Sequence, residues 1–208
     1  AVPSYNQGRY LDKALESLFL QNLPVEVFVA DGGSTDNSLE IIKKWENRLA
    51  GWRSHPDRGQ SAAINESIAK GDAPYVCWKN SDDWLLPDSL PQLIRVLEEQ
   101  TKAPAAYGKA WNFVEKKQTL RPIWVEPFSA RRLALRCIIA QPATLIRRSA
   151  WEATGGLDES LHMTMDYDLW WRLFKNHGAL AYLDSFIAVN REHAVSYTHL
   201  TLPTTSRV

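Results

Sequence analysis

The sequence predicts an α/β fold with a mainly parallel central sheet and helices on both faces. Three observations predict it. Buried-strand patterns alternate with amphipathic helical stretches through the N-terminal half. Polar loops rich in Asp, Gly, Ser and Asn follow the C-terminal ends of those strands, where open α/β sheets bind ligands. The chain has 208 residues, 45% of them hydrophobic, which is enough for one domain with a real core.

Each element has a local reason. Val2 before Pro3 reads as the last step of a strand whose beginning is missing. Asn6 is placed to cap a helix over about 8–20, in which Leu11, Ala14, Leu15, Leu18 and Phe19 form one apolar stripe. Residues 25–30 have a buried-strand pattern, and 31–36 are a loop by composition. A helix is expected over about 37–48, with Leu39, Ile42 and Trp45 inward. A short strand at 52–54, a turn at 56–59 and a helix over 60–69 follow. Residues 75–78 are a strand ending in Asn80-Ser81-Asp82-Asp83, and 88–100 a helix. The second half is less regular. Strands are expected at 105–112, 120–125, 143–146, 180–183 and 186–190, a short helix at 129–135 and a helical turn at 149–154. A helix over 169–175 is preceded by Asp166-Tyr167-Asp168.

No repeat, linker or boundary is visible, so 1–194 read as a single, N-terminally truncated domain. Residues 195–208 lack helical period, carry four Thr and no charge before Arg207, and resemble translated read-through of a sequencing adapter. They are read as a non-native tail and set aside from the fold. A natural Thr-rich tail is the alternative.

Charge excludes some functions. Lys plus Arg and Asp plus Glu are 24 each, a formal balance of zero that argues against coating nucleic acid or an anionic membrane. No apolar run approaches the roughly 20 residues needed to span a bilayer. Cys77 and Cys137 fit neither a disulfide framework nor a zinc site and are read as packing. His55, His162 and His177 lack ligand-like spacing. Nine Trp are read mostly as core, Trp170-Trp171 as helix packing with one ring lining an acceptor side as the alternative. Arg131-Arg132 and Arg147-Arg148 are solvated faces, or contacts to a diphosphate or acceptor.

Three motifs carry chemistry. Asp31-Gly32-Gly33-Ser34-Thr35-Asp36 sits at a strand end. Its glycines allow close backbone approach, and Asp31 either accepts hydrogen bonds from a ribose or base or caps a helix. It is neither a dinucleotide fingerprint nor a P-loop. Asp82-Asp83 places two like charges together, which a hard divalent cation resolves, unless the pair is a solvated turn with a capping Asp. Asp166, just before a helix, could remove a proton from a sugar hydroxyl, whereas Asp168 and Arg172 are spaced to pair along the helix.

Seven motifs occur in order: Pro-Ser-Tyr-Asn (3–6), Asp-Gly-Gly-Ser-Thr-Asp-Asn-Ser (31–38), Pro-Asp-Arg-Gly-Gln (56–60), Asn-Ser-Asp-Asp (80–83), Gln-Pro-Ala-Thr (141–144), Gly-Gly-Leu-Asp-Glu (155–159) and Asp-Tyr-Asp-Leu-Trp (166–170). Together the chain resembles glycosyltransferase family 2, inverting nucleotide-sugar enzymes of the GT-A fold, over about 3–194. The resemblance implies a GT-A-type three-layer sandwich. It implies that Pro3, Tyr5 and Asn6 open a nucleotide pocket, that Asp31 holds the base or ribose and that Asp57 lies near the same nucleotide. Asp82 and Asp83 stand at the family's Asp-x-Asp motif, Asp83 as the closest ligand of Mn2+ or Mg2+ and Asp82 near the ribose or a metal-bound water. Asp166 stands at the general base, with Met165 where the family usually has Glu. His193 resembles a late family His that approaches the diphosphate or metal.

The implied reaction is one inverting displacement from a nucleoside-diphosphate sugar to the hydroxyl of a saccharide or glycolipid acceptor, in bacterial polysaccharide or glycolipid synthesis. The implied place is the cytoplasm, at the inner face of the membrane, with peripheral association and no nucleic-acid partner. A catalytically inactive nucleotide-sugar-binding fragment is the alternative. A sugar nucleotidyltransferase would want a Gly-rich basic loop that Pro-Ser-Tyr-Asn does not supply. A two-carboxylate glycoside hydrolase is a weaker reading.

Overall fold

The computed structural model describes residues 1–161 and 163–193. The expectations for His162 and for the tail at 195–208 lie outside the described residues. Strands β1 (Val2–Ser4), β2 (Phe28–Asp31) and β3 (Gly51–Ser54) form a parallel sheet in that order. Helix α1 (Gly8–Phe19) connects β1 to β2, and α2 (Ser38–Trp45) with a following 3-10 turn connects β2 to β3. Helix α3 (Gln60–Ala69) then leads to β4 (Tyr75–Val76). The remaining elements are β5 (Trp84–Leu85), α4 (Ser89–Glu99), β6 (Ala105–Val114), β7 (Thr119–Pro122), α5 (Ala130–Leu135), β8 (Thr144–Arg147), α6 (Arg148–Thr154), α7 (Met165–His177) and β9 (Ala181–Glu192). Their strands make a mixed sheet in the order β4-β8-β6-β9-β5, with β7 on β6.

Two backbone bonds join these sheets. Ala1 N donates to Cys77 O at 2.8 Å, and Lys79 N donates to Ala1 O at 2.9 Å. That exchange is the step of a parallel ladder between the start of β1 and the extension of β4. Two residues on, Pro3 presents the same edge without an N–H. Pairing on that side stops there, and residues 80–83 turn away from the sheet at its C-terminal rim.

Successive residues of a strand face opposite sides of a sheet. Ala106 and Ala110 of β6 join one apolar cluster with Leu11, Leu15, Val29, Ile42, Leu93 and Leu97. Ala105 and Tyr107 join the other, with Ile64, Ile146, Leu169 and Trp170. The sheet is thus covered on both faces, the three layers expected. Trp78, Trp151 and Trp170 are buried together, Trp78 lying 6.1 Å from each of the other two rings. The prediction that Trp serves mostly as core holds for these three. Among the described residues, no helix is long and apolar enough to cross a membrane.

Several boundaries differ from expectation. The two strands expected over 180–190 are one strand, β9, paired in parallel with β6 through register shifts around Lys109. Gly108 sits at that irregularity, where a Cβ would meet Ile187 Cγ1 at 2.4 Å. Asp166 lies inside α7, not before it. Asn6 does not cap α1. Its φ is 52° and its side chain turns to another loop, while the Asp36 carboxylate accepts from Gly8 N at 2.9 Å.

Candidate active site

The site forms at the C-terminal rim of β1, β2 and the extended β4. Asp31 ends β2 and is fully buried. Its Oδ2 accepts from Gly33 N (3.1 Å), Ser34 N (2.9 Å) and Ser54 Oγ (2.7 Å), and its Oδ1 from Ser34 Oγ at 2.5 Å. The carboxylate thus folds the Gly-Gly-Ser-Thr loop around itself and ties it to β3. All four of these bonds are internal. Asn6 secures the other side of the loop, its N donating to Ser34 Oγ and its Oδ1 accepting from Thr35 N, both at 2.8 Å.

Two further predicted residues front this loop. Tyr5 is 62% exposed, and a Cβ built on Gly32 would lie 3.3 Å from its ring and 3.7 Å from Asp57 Oδ2. Asp57 accepts from Gly59 N and Arg53 Nη1, both at 2.9 Å. Tyr5 and Asp57 therefore flank Gly32 as one wall. Pro3 is buried within β1, in register with Ala30.

The adjacent carboxylates have opposite fates. Asp83 is 2% exposed, with Oδ1 accepting from Arg191 N at 3.0 Å and Oδ2 from Asn80 Nδ2 at 3.1 Å. Burial first, and the Asp82 charge second, push its carboxyl well above the usual carboxylate range. Asp82 instead meets His193, Oδ2 to Nε2 at 2.9 Å. Asp83 thus braces the turn, and Asp82 carries the more open carboxylate of the pair. His193 lies against the Tyr10 ring with centroids 4.6 Å apart. Arg191 is stacked among Tyr10, Trp84 and Phe113 and donates through Nε to Asp82 O at 3.2 Å.

Asp166 is the second residue of α7. Desolvation raises its pKa, while Tyr167 N, bonded to Oδ1 at 2.8 Å, works against the shift. The first turn of α3 draws this residue toward the Asp82 turn. Gln60 Nε2 donates to Asn80 Oδ1 at 2.7 Å, and the next residue, Ser61, donates to Met165 Sδ at 2.8 Å. One helical step thus holds both the Asn-Ser-Asp-Asp turn and the N-terminus of α7. Gln60, Arg191 and Tyr10 were not singled out from sequence. Gln60 closes the Pro-Asp-Arg-Gly-Gln motif and Arg191 lies two residues before His193, but Tyr10 gives no local signal.

Among the described residues no three His, Cys, Asp or Glu side chains converge as a ready-made cation cage. Asp82 and His193 supply two donors, one hard oxygen and one imidazole nitrogen, at the rim. That set fits a divalent cation completed by a diphosphate and water, the usual habit of Mg2+ and Mn2+ at phosphate sites. A cavity of about 340 Å3 lies at the opposite end of β1, between Val25, Phe28, Tyr75 and Cys77, and none of Asp31, Asp82 or Asp166 lines it.

Known proteins resemble this chain in sequence and in fold. The Pasteurella multocida chondroitin synthase is 26% identical over 175 residues, 83% of this chain and 18% of that protein. The Rhizobium meliloti succinoglycan biosynthesis protein ExoU is 26% identical over 219 residues, 97% of this chain and 64% of that protein. The chain thus spans from under a fifth to about two thirds of these relatives' length. S. aureus TarS in complex with UDP-GlcNAc superposes with a TM-score of 0.77 at 19% identity, over 100% of this chain and 60% of that one. The Pyrobaculum calidifontis mannosyltransferase PcManGT, in complex with GDP-Man and Mn2+, gives 0.72 at 17% identity over 94% and 57%. These structural likenesses show the fold, which is of the GT-A type. The sequence model described as glycosyl transferase family 2 matches residues 1–153, and with seven motifs in order on a GT-A sheet, the chain belongs to glycosyl transferase family 2.

Proposed function

We propose that this domain transfers a sugar from a nucleoside-diphosphate sugar to a saccharide hydroxyl with inversion at the anomeric carbon. The observation that carries the reading is the tie made by Gln60 and Ser61, which links the turn that bears Asp82 to the start of α7, the helix that bears Asp166. The complexes of TarS with UDP-GlcNAc and of PcManGT with GDP-Man support such a donor. The chondroitin synthase relative supports a saccharide acceptor.

Each residue has a task. Tyr5 and Asp57 receive the nucleoside beside Gly32, on a loop that Asp31 and Asn6 hold in shape. Asp82 and His193 hold Mn2+ or Mg2+ together with the diphosphate. When bound, the cation neutralises charge that grows on the leaving group. Asp166 takes the proton from the acceptor hydroxyl, and its raised pKa brings its basicity closer to that task. A single displacement needs no protein nucleophile.

Product anomeric configuration, read by proton NMR coupling, tests the reading. Inversion relative to the donor is expected, abolished in Asp166→Asn. Retention, or full turnover by Asp166→Asn, would overturn it.

A further inference from the structure

Among the described residues, Trp124 is the large aromatic most open to solvent, with 63% of its surface exposed. Its indole is nonetheless fixed. Nε1 donates to Glu126 Oε1, and the Arg136 guanidinium lies over the ring, 4.3 Å from its centroid. Glu126 is itself held by Arg132 Nε at 2.7 Å and by Arg136. The Trp124 N–H first, then the guanidinium groups, keep the Glu126 carboxyl down at about 2, so the clamp stays charged at working pH.

A ring held this way has its polar handle occupied and one face covered by a cation. What remains is a flat, rigid, apolar face. A rigid aromatic surface contacts a ligand at little cost in conformational freedom. The apolar face of a pyranose ring is a ligand of that shape. Charge narrows the choice. Residues 124–138 carry three exposed arginines, Arg131, Arg132 and Arg136, against one carboxylate, Glu126, so the segment that bears the ring is positive.

The segment is continuous with the wall that carries Asp166. Glu126 N donates to Ile138 O at 3.3 Å. The next residue back, Cys137, has its thiol pushed up to about 11, first by desolvation and in part by the Asp166 charge nearby. Tyr167 Oη donates to Leu133 O at 2.6 Å, and Phe128 meets Phe174 with centroids 5.0 Å apart. Residues 124–138 are therefore docked along α7, from Tyr167 in its first turn to Phe174 near its end.

From this placement we infer that Trp124 is a stacking platform for a sugar ring of the acceptor, and that Arg131, Arg132 and Arg136 select acceptors bearing an anionic group close to that ring. The inference rests on the transferase reading for the word acceptor, but the binding claim stands apart from turnover. The anionic group is a uronate carboxylate or a sugar-linked phosphate.

The test is saturation-transfer NMR and titration on the whole chain with three probes: a glucuronate-containing tetrasaccharide, its carboxyl-reduced neutral counterpart, and a glycosyl phosphate. Binding of at least one anionic probe is expected, several-fold tighter than the neutral one and weakened at high salt. A preference between the two anionic probes identifies the source of the charge. Trp124→Ala should weaken binding tenfold or more, Trp124→Phe about threefold, and Arg131→Gln should lower the preference for charge. Nucleotide binding, measured separately by calorimetry, should be unchanged in all three variants. If nucleotide binding fails in the parent chain while the tetrasaccharide still binds through Trp124, the transferase reading falls and the platform stands. Equal binding of the probes by folded Trp124→Ala overturns the platform, as does loss in that variant of binding to anionic vesicles with no saccharide binding in the parent.

Discussion

Replacing Asp31 by Ala distinguishes a residue that organises a loop from one that touches the ligand. The carboxylate accepts two backbone N–H groups and two hydroxyls, and its burial is complete. Removing it strands the Gly33 and Ser34 N–H groups at a part-buried site. An unsatisfied buried donor costs about 1–3 kcal/mol. Taking the lower half of that range for each, because the loop is partly solvated, the loss is about 3 kcal/mol. For a chain of this size Tm falls by about 2–4 °C per kcal/mol, so a drop of about 6–12 °C is expected. Ser54→Ala removes one bond at 2.7 Å from the far side of the carboxylate and should lower Tm by a smaller amount in the same direction. Differential scanning calorimetry gives Tm, and titration with UDP, GDP and dTDP gives affinity. Both variants should lose nucleotide affinity along with stability. Unchanged Tm in Asp31→Ala with a selective loss for one base would refute the reasoning, because that is the signature of direct contact.

Three further predictions follow from single contacts. A Cβ at Gly8 would stand 2.2 Å from Asn37 Oδ1 and 2.6 Å from Ser38 N. Gly8→Ala must therefore push α1 and α2 apart, with a loss of about 3 kcal/mol, read by urea denaturation. Asn65 bonds both N and O of Leu157 at 2.9 Å, so Asn65→Ala should cost about 2 kcal/mol in the same assay. Asp166 has a folded-state pKa above its ordinary value, so its ionisation costs stability. That cost is fully present above the folded pKa and is relieved as pH falls through it toward the unfolded value. Asp166→Asn should therefore hold or raise Tm at pH 7, lose that advantage in acid, and abolish transfer. In the parent, the acid limb of the transfer rate should lie above the roughly pH 4 of a free Asp.

Local chemistry made much of this legible in the sequence. The stripe Leu11, Ala14, Leu15 and Leu18 places α1 because one helical face needs only nearest turns to specify it. The rim loops were found because Asp, Gly, Ser and Asn after an apolar run mark a strand end. What was missed depends on distant partners. Asp36 rather than Asn6 satisfies the first N–H of α1 across 28 residues of sequence. Asp82 and Asp83 are chemically equal in sequence, and Arg191 N, 108 residues on, decides which is buried. Strand β5 has two residues, too few for any alternation to show, and it exists because Val189 and Ala188 of β9 offer it an edge. Tyr10 lies on the stripe-bearing helix, and its contact with His193 appears only when β9 is in place.

The central claim is that Asp82 and His193 hold a divalent cation with the donor diphosphate while Asp83 braces the turn from within. Calorimetric titration of UDP, GDP and dTDP, with and without Mn2+, into the parent chain, Asp82→Ala and Asp83→Asn tests it most directly. Tight binding of one nucleotide is predicted, lost on removal of Mn2+, lost in Asp82→Ala and retained in folded Asp83→Asn. Binding that ignores Mn2+, or that survives in Asp82→Ala and disappears in a folded Asp83→Asn, would contradict the account.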